Sequence, residues 1–148
     1  MLEPGADAPA VSATNQHGET VTPDFSTPTV VYFYPKDDTR GCTVEANEFQ
    51  AALPQFREGG ISVYGVSMDG VESHAAFAEA EGLLFDLLAD PAGEVAAAFG
   101  VDTSAGHTGR HTFVLADDEV VGVYDSVDPN GHTQDVLTDV RNEFVRGG

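Results

Sequence analysis

Cys42 is the residue of this chain best suited to chemistry, and it is the sole cysteine among 148 residues. One sulfur excludes an intramolecular disulfide, a Cys-x-x-Cys redox pair and the cysteine spacing of a zinc finger. Cys42 follows the polar stretch 37–41 and stands outside the apolar runs, where a structural cysteine would be expected. Any thiol chemistry must therefore run through this sulfur and an outside partner.

The expected surroundings of Cys42 favour its thiolate, the form of cysteine that acts as a nucleophile. A helix is predicted to begin near Cys42, shortly after a buried strand. Unpaired backbone N–H groups and the helix dipole stabilise negative charge at a helix N-terminus, and Arg40 adds a cation nearby in sequence. The residues alone therefore favour a reactive thiol over an inert one, without excluding the latter.

The elements that position Cys42 follow from the apolar pattern of the first half of the chain. Segments 11–14 and 20–22 flank a Gly-containing turn and predict an N-terminal β-hairpin. Segment 29–34 is a β-branched and aromatic run that ends at a proline, which is typical of a buried central strand. Apolar residues then recur at near-helical spacing from Cys42 onward, and Pro54 is expected to kink or split that helix.

The second half of the chain alternates strands with helices. Asp90 is expected to cap a helix whose first turn contains Pro91 and which ends at Gly100. The closing helix is expected to bury an apolar face that includes Phe144. The other predicted elements are strands near 61–67, 85–88, 111–115 and 120–124 and a helix from about Val71 to Glu81. This order predicts one α/β domain over residues 1–148, with a mixed central sheet flanked by helices on both faces.

A family resemblance is carried by the residues around Cys42. Segment 32–46 resembles the active-site segment of the peroxiredoxins, in particular their bacterioferritin-comigratory (Q-type) branch. Pro35, Thr39 and Cys42 meet the family pattern Pro-x-x-x-Thr-x-x-Cys, and Arg110 lies in a segment that resembles the strand with the family's second active-site arginine. The resemblance extends over nearly the whole chain and implies a thioredoxin-like fold with an N-terminal β-hairpin.

The resemblance implies a role for each of these residues in peroxide reduction. The Cys42 thiolate would attack one peroxide oxygen while the other leaves, and the product would be a sulfenic acid. Thr39 would present its hydroxyl to the sulfur and the peroxide, while Arg110 would hold the thiolate and polarise the O–O bond. Pro35 would shield the site from water. Such donors act by being preorganised toward the charge that develops in the transition state.

Three further residues near the sulfur are expected to support the site. Glu45 stands where the family often has Glu or Gln and would orient an arginine. The residue before Gly41 is usually proline in this branch but is Arg40 here, so the loop loses stiffness and gains a charge. We hypothesise that Arg40 recruits an anionic peroxide or thiol reductant; the alternative is a solvent-facing arginine that offsets local carboxylates.

The position of a second thiol decides the mechanism that the resemblance implies. The Q-type branch often places a resolving cysteine five residues after the reactive one, and that position here is Asn47. A sulfenic acid at Cys42 would then be reduced by an external small thiol or a thioredoxin-type protein. The expected enzyme is thus a one-cysteine thiol-dependent peroxidase that acts on hydrogen peroxide and small organic hydroperoxides.

Two other classes of function remain open from the sequence. Cys42 could serve a non-enzymatic redox sensor or relay that passes oxidation to a partner protein. Alternatively, the chain could be a binding module with an inert cysteine, although the presence of Thr39, Cys42 and Arg110 together argues against it. No cofactor and no metal site is expected: no histidine is expected to be catalytic, and the acidic pairs at 37–38 and 117–118 are expected to be solvated turns.

The charge balance limits the partners of the chain. Twenty-five acidic residues face six basic ones, for a net charge of −19, which disfavours binding to nucleic acid and to anionic membranes. No apolar run approaches the roughly 20 residues needed to cross a bilayer, and the N-terminus lacks a secretory signal pattern, so a cytoplasmic protein is expected. A monomer and a homodimer are both compatible with the sequence. Such acidity could indicate disorder, but the apolar share of 41% argues against that. Adaptation to high salt is the better explanation of the acidity.

This adaptation predicts that the stability of the protein depends on salt. Screening by ions removes the repulsion among surface carboxylates, so the protein should unfold readily in low salt and its melting temperature should rise with salt concentration. Circular dichroism melts over a series of potassium chloride concentrations measure this. A melting temperature independent of salt would contradict the prediction.

Overall fold

A seven-stranded mixed sheet lies at the centre of the fold, as given by a computed structural model that describes residues 1–125 and 127–140. The strands are β1 Ala13–Thr14, β2 Thr20–Val21, β3 Thr29–Phe33, β4 Ser62–Ser67, β5 Asp86–Ala89, β6 His111–Ala116 and β7 Glu119–Tyr124. The helices are α1 Arg40–Glu58, α2 Val71–Glu81, α3 Glu94–Phe99 and α4 His132–Asp139. Phe144, which is predicted to lie on the apolar face of the closing helix, is outside the described residues.

The strand order is β2-β1-β5-β4-β3-β6-β7. The central strand β3 pairs in parallel with β4, and β4 in parallel with β5. On its other edge β3 pairs antiparallel with β6, in a register that sets Phe33 opposite His111. The predicted hairpins β1–β2 and β6–β7 are both antiparallel. This register places the residue just before β6 beside the end of β3, where the chain turns toward Cys42.

Helices cover both faces of the sheet, as predicted. Alternate residues of a strand point to opposite faces, and β3 accordingly divides its side chains between two buried apolar clusters. Val30 and Tyr32 pack in the cluster that includes buried residues of α1, α2 and α4, whereas Val31 and Phe33 pack with α3. Cys42 belongs to the first cluster. None of the helices in the described part of the chain is long and apolar enough to cross a bilayer.

Two local predictions about helices need correction. Pro54 does not split α1, which runs as one element from Arg40 to Glu58, because buried residues on both sides of the proline anchor the helix to the core. Pro91 does not lie in the first turn of α3, and Asp90 is not its N-cap, since the N-cap is Gly93. The Asp90 carboxylate still caps this helix by accepting the backbone N–H groups of residues 95 and 96, both at 2.9 Å.

Candidate active site

Cys42 is the third residue of α1, as expected for a cysteine at the start of a helix. Thr39 is the N-cap with extended backbone angles, φ −95° and ψ 155°, and its carbonyl accepts the N–H of Thr43 at 2.8 Å. The Cys42 side chain is 1% exposed. The sulfur therefore lies within the first turn of a 19-residue helix, where the helix dipole favours an anion.

The Arg110 side chain forms hydrogen bonds that link the start of β6 to the first turns of α1. The residue directly precedes β6, and its Nη2 donates to Cys42 Sγ at 3.2 Å. Its Nη1 donates to Glu45 Oε1 at 3.1 Å. Glu45 lies three residues after Cys42 and therefore on the same face of α1. One guanidinium thus contacts the sulfur and a buried carboxyl group together.

Gly41 leaves the space that Arg110 occupies. A Cβ atom at this position would lie 2.5 Å from Nη2 and 3.3 Å from Cζ of Arg110, with Pro129 Cγ at 3.6 Å. Position 41 therefore requires glycine because any side chain would overlap the guanidinium of Arg110. Sequence reasoning did not single out Pro129, because it lies far along the chain from Cys42 and in no recognised motif.

The other predicted site residues surround the sulfur less closely. The Thr39 hydroxyl donates to the carbonyl of Lys36 at 3.0 Å, and within the described residues it makes no hydrogen bond to Sγ. Pro35 lies two residues after the end of β3 and is half-buried. Arg40 is exposed, and no ion pair joins it to another residue in the described ranges. The guanidinium that contacts Sγ is therefore that of Arg110.

Glu45 is buried more completely than its charge favours. Burial raises the pKa of Glu45 to about 7, although the charge and the hydrogen bond of Arg110 lower it in part. Its second oxygen, Oε2, is buried without a hydrogen-bond partner, and so is the hydroxyl of Tyr32. Burial and the nearby carboxylate of Glu45 raise the pKa of Tyr32 well above 10, so this phenol stays neutral. The sequence suggested only a core role for Tyr32.

The prediction that Asp37 lies in a solvated turn is wrong. Asp37 is 5% exposed, and its carboxylate accepts hydrogen bonds from Tyr34, Ser73 and His74 at 2.6–2.8 Å. The last two donors lie on α2, more than 35 positions along the chain, so no local pattern pointed to them. Asp38 is exposed, as predicted, and takes a left-handed conformation with φ 59°.

One cluster in the described part of the chain has the composition of a metal site. Ligand atoms of Asp37, Asp69 and His74 lie within 4.8 Å of one another. Hydrogen bonds already engage these atoms: Asp37 Oδ2 accepts from His74, and Asp69 Oδ2 accepts the N–H of Asp37 at 2.8 Å. A cation would have to replace these bonds, so the cluster is better described as a hydrogen-bonded network.

Substitution of Glu45 is predicted to change the pH dependence of stability. Because the folded-state pKa is raised from 4.5 to about 7, the folded state holds this proton more tightly than the unfolded chain does. The resulting stabilisation is present below pH 4.5 and is lost as the pH rises toward 7. Glu45→Gln should cancel up to about 3 kcal/mol of that loss.

The measurement is the free energy of unfolding by denaturant at high salt, at about pH 4 and about pH 8. Glu79→Gln, at an exposed position of α2, is the matched control and should keep the pH dependence of the unaltered chain. Equal pH dependence in the Glu45→Gln variant and the unaltered chain would refute the assigned burial effect.

Comparison with known proteins identifies the family. The model of the AhpC/TSA family matches residues 4–123. The protein named "Putative peroxiredoxin bcp" of Coxiella burnetii is 33% identical over 146 residues, which cover 92% of this chain and 97% of that protein. Both alignments therefore include the site at Cys42 and Arg110.

Solved structures agree with this result. Peroxidoxin BcpB of Mycobacterium tuberculosis superposes with a TM-score of 0.89 at 32% identity, covering 95% of this chain and 97% of that chain. The bacterioferritin comigratory protein of Xanthomonas campestris, whose structures were determined to study its alkyl peroxide reduction, superposes with a TM-score of 0.85 at 31% identity, covering 94% and 98%. The predicted thioredoxin-like fold is thereby confirmed. Since sequence and structure match such proteins over nearly the full length, the chain belongs to the AhpC/TSA family, close to its Bcp/Q-type peroxiredoxins, and is a thiol-dependent peroxidase.

Proposed function

We propose that the Cys42 thiolate reduces hydrogen peroxide and small organic hydroperoxides by a one-cysteine mechanism. The observation that carries the proposal is the 3.2 Å contact between Arg110 Nη2 and Cys42 Sγ at the N-terminus of α1. A cation and a helix dipole there stabilise the thiolate and also the negative charge that moves along the S–O–O line during attack.

The oxidation step transfers one oxygen atom to the sulfur. The thiolate attacks the nearer peroxide oxygen, the O–O bond breaks, and the other oxygen leaves as hydroxide or alkoxide and takes up a proton to give water or an alcohol. Arg110 is the donor aimed at this developing charge. Thr39, at the N-cap, would direct its hydroxyl oxygen toward the peroxide, and Pro35 would limit the access of water.

The reduction step requires a thiol from outside the chain, since Cys42 is its sole cysteine. An external thiol attacks the sulfenic acid, water leaves and a mixed disulfide forms. A second external thiol then displaces Cys42 as a thiol and carries away the disulfide. We propose a small thiol or a thioredoxin-type protein as this reductant.

Rapid mixing of the reduced protein with one equivalent of hydrogen peroxide at high salt tests the proposal. The expected result is a loss of the free thiol within seconds together with a one-oxygen gain in intact mass, and the Cys42→Ser variant should show neither. Oxidation no faster than that of free cysteine would overturn the proposal. Rapid oxidation without turnover by any added thiol would favour a redox sensor over a peroxidase.

A methyl group at position 41 is predicted to slow the oxidation step. In Gly41→Ala the new Cβ would overlap Arg110 Nη2, so the guanidinium must move away from the sulfur. Loss of one preorganised donor typically costs about 100-fold in rate, and we expect a decrease of that order in the second-order rate constant with hydrogen peroxide.

Two controls separate this effect from damage to the fold. The free energy of unfolding of Gly41→Ala, measured by denaturant, should show that the variant is fully folded under the conditions of the oxidation assay. Asn47→Ala, at an exposed position on the same helix, should react like the unaltered chain. If Gly41→Ala also reacted at that rate, the guanidinium would not be needed where it lies.

A further inference from the structure

The loop of residues 34–39 joins β3 to α1 and carries two of the predicted catalytic residues, and we call it the β3–α1 loop. Its Asp37 side chain points into the protein. Oδ1 accepts the Tyr34 hydroxyl at 2.6 Å, and Oδ2 accepts the Ser73 hydroxyl at 2.8 Å and contacts His74 Nδ1 at 2.7 Å. None of these four residues is used in the peroxide chemistry described above.

The His74 side chain is held in place by contacts at both ring nitrogens. The side chain is fully buried, and its Nε2 lies 3.2 Å from the carbonyl oxygen of Leu88. Nδ1 of the same ring lies 2.7 Å from Oδ2 of Asp37 and 3.4 Å from the Tyr34 hydroxyl oxygen, so both ring nitrogens lie within hydrogen-bond distance of oxygen atoms. Burial raises the pKa of Asp37, but the hydrogen bonds of His74 and Tyr34 outweigh it and hold this pKa below its ordinary value.

The backbone of the β3–α1 loop is held from two further directions. The N–H of Asp37 donates to Asp69 Oδ2 at 2.8 Å, and Ser67 holds that carboxylate with a hydrogen bond of 2.7 Å. Thr108 donates to the carbonyl of Tyr34 at 3.1 Å. These contacts hold the loop although the next residue after Asp37 adopts a left-handed φ of 59°, a conformation that non-glycine residues seldom adopt.

We propose that Asp37 and His74 are positioning residues, whose buried side-chain hydrogen bond locks the β3–α1 loop against α2 and thereby holds Thr39 in place beside Cys42. The inference rests on the proposed function. A buried hydrogen bond is a weak source of net stability, because desolvation of its two polar groups offsets much of the gain. It is directional, however, and removal of one partner leaves the other as an uncompensated buried group. The pair therefore ties the loop to one conformation.

The variants Asp37→Asn and His74→Gln, alone and combined, test this proposal. Each single variant should slow the oxidation of Cys42 by hydrogen peroxide by about 10- to 100-fold, the order of loss caused by a misplaced reacting group. The double variant should react no more slowly than the slower single variant, because both changes remove the same lock. Losses that multiply in the double variant would overturn the proposed pairing.

The thiolate absorbance of Cys42 gives a readout that general damage would not reproduce. Arg110 and the dipole of α1 are left intact, so the thiolate fraction at neutral pH should stay unchanged while the oxidation rate falls. Asp90→Asn is the matched control, because Asp90, like Asp37, is a buried carboxylate. Asp90 caps α3, which lies on the face of the sheet opposite to Cys42. This control should react as fast as the unaltered chain. An equal loss of rate in Asp90→Asn would show general destabilisation and overturn the proposal.

Hydrogen exchange separates this inference from the proposed function. Amides of residues 36–43 should exchange faster in Asp37→Asn and His74→Gln than in Asp90→Asn, whether or not Cys42 reduces peroxide. If the unaltered chain fails to react with peroxide, the proposed function fails while this exchange result still stands. If the unaltered chain reacts and the two variants react equally fast, the positioning role fails alone.

Discussion

The site depends on the hydrogen bonds of the Arg110 guanidinium, which donates to both Cys42 Sγ and Glu45 Oε1 on α1. Without this guanidinium, the sulfur and the Glu45 carboxyl group would be buried on one helix face with no cation between them. The contact requires that α1 present these two residues in phase, that β6 run beside β3, and that residue 41 carry no side chain. A change in any of these three conditions separates the cation from the sulfur.

The core places α1 with the accuracy that this contact needs. Tyr32 of β3 stacks on Phe49 of α1 with ring centroids 4.4 Å apart. A Cβ at Gly65 on the neighbouring strand β4 would lie 2.9 Å from the Tyr32 ring and its hydroxyl, so the absence of a side chain there leaves room for the ring. Because interiors pack at high density, the stack limits both the height and the rotation of α1 above the sheet. The same face of the sheet then delivers Arg110.

Burial of the sulfur sets a physical condition on the catalytic cycle. A peroxide is small enough to approach a thiolate that is 1% exposed, whereas an external thiol on a larger molecule is not. The first turn of α1 and Pro129, which lies beside Gly41, both border the site. The buried contact of Asp37 with His74 joins the loop that leads into α1 to helix α2.

Local sequence patterns account for the helices and strands and for the part of the site that lies within one short stretch of the chain. The β-branched run at β3, the helical spacing after Cys42 and the turn residues between them depend on neighbours a few positions apart, so propensity and periodicity reveal them. Pro35, Thr39 and Cys42 lie within one such stretch, and their spacing carried the resemblance to peroxiredoxins. For Arg110, 68 positions from Cys42, the sequence offered only a resemblance to a family strand.

Packing of the whole domain sets which distant groups meet and how deeply they are buried. Arg110 reaches the sulfur because β6 pairs with β3, and Asp37 reaches His74, 37 positions away, because α2 packs on the same face as α1. The raised pKa of Glu45 likewise follows from burial, which sequence spacing does not specify. Such contacts depend on strand order and helix packing, and these are set by the free energy of the whole core rather than by any local stretch of the chain.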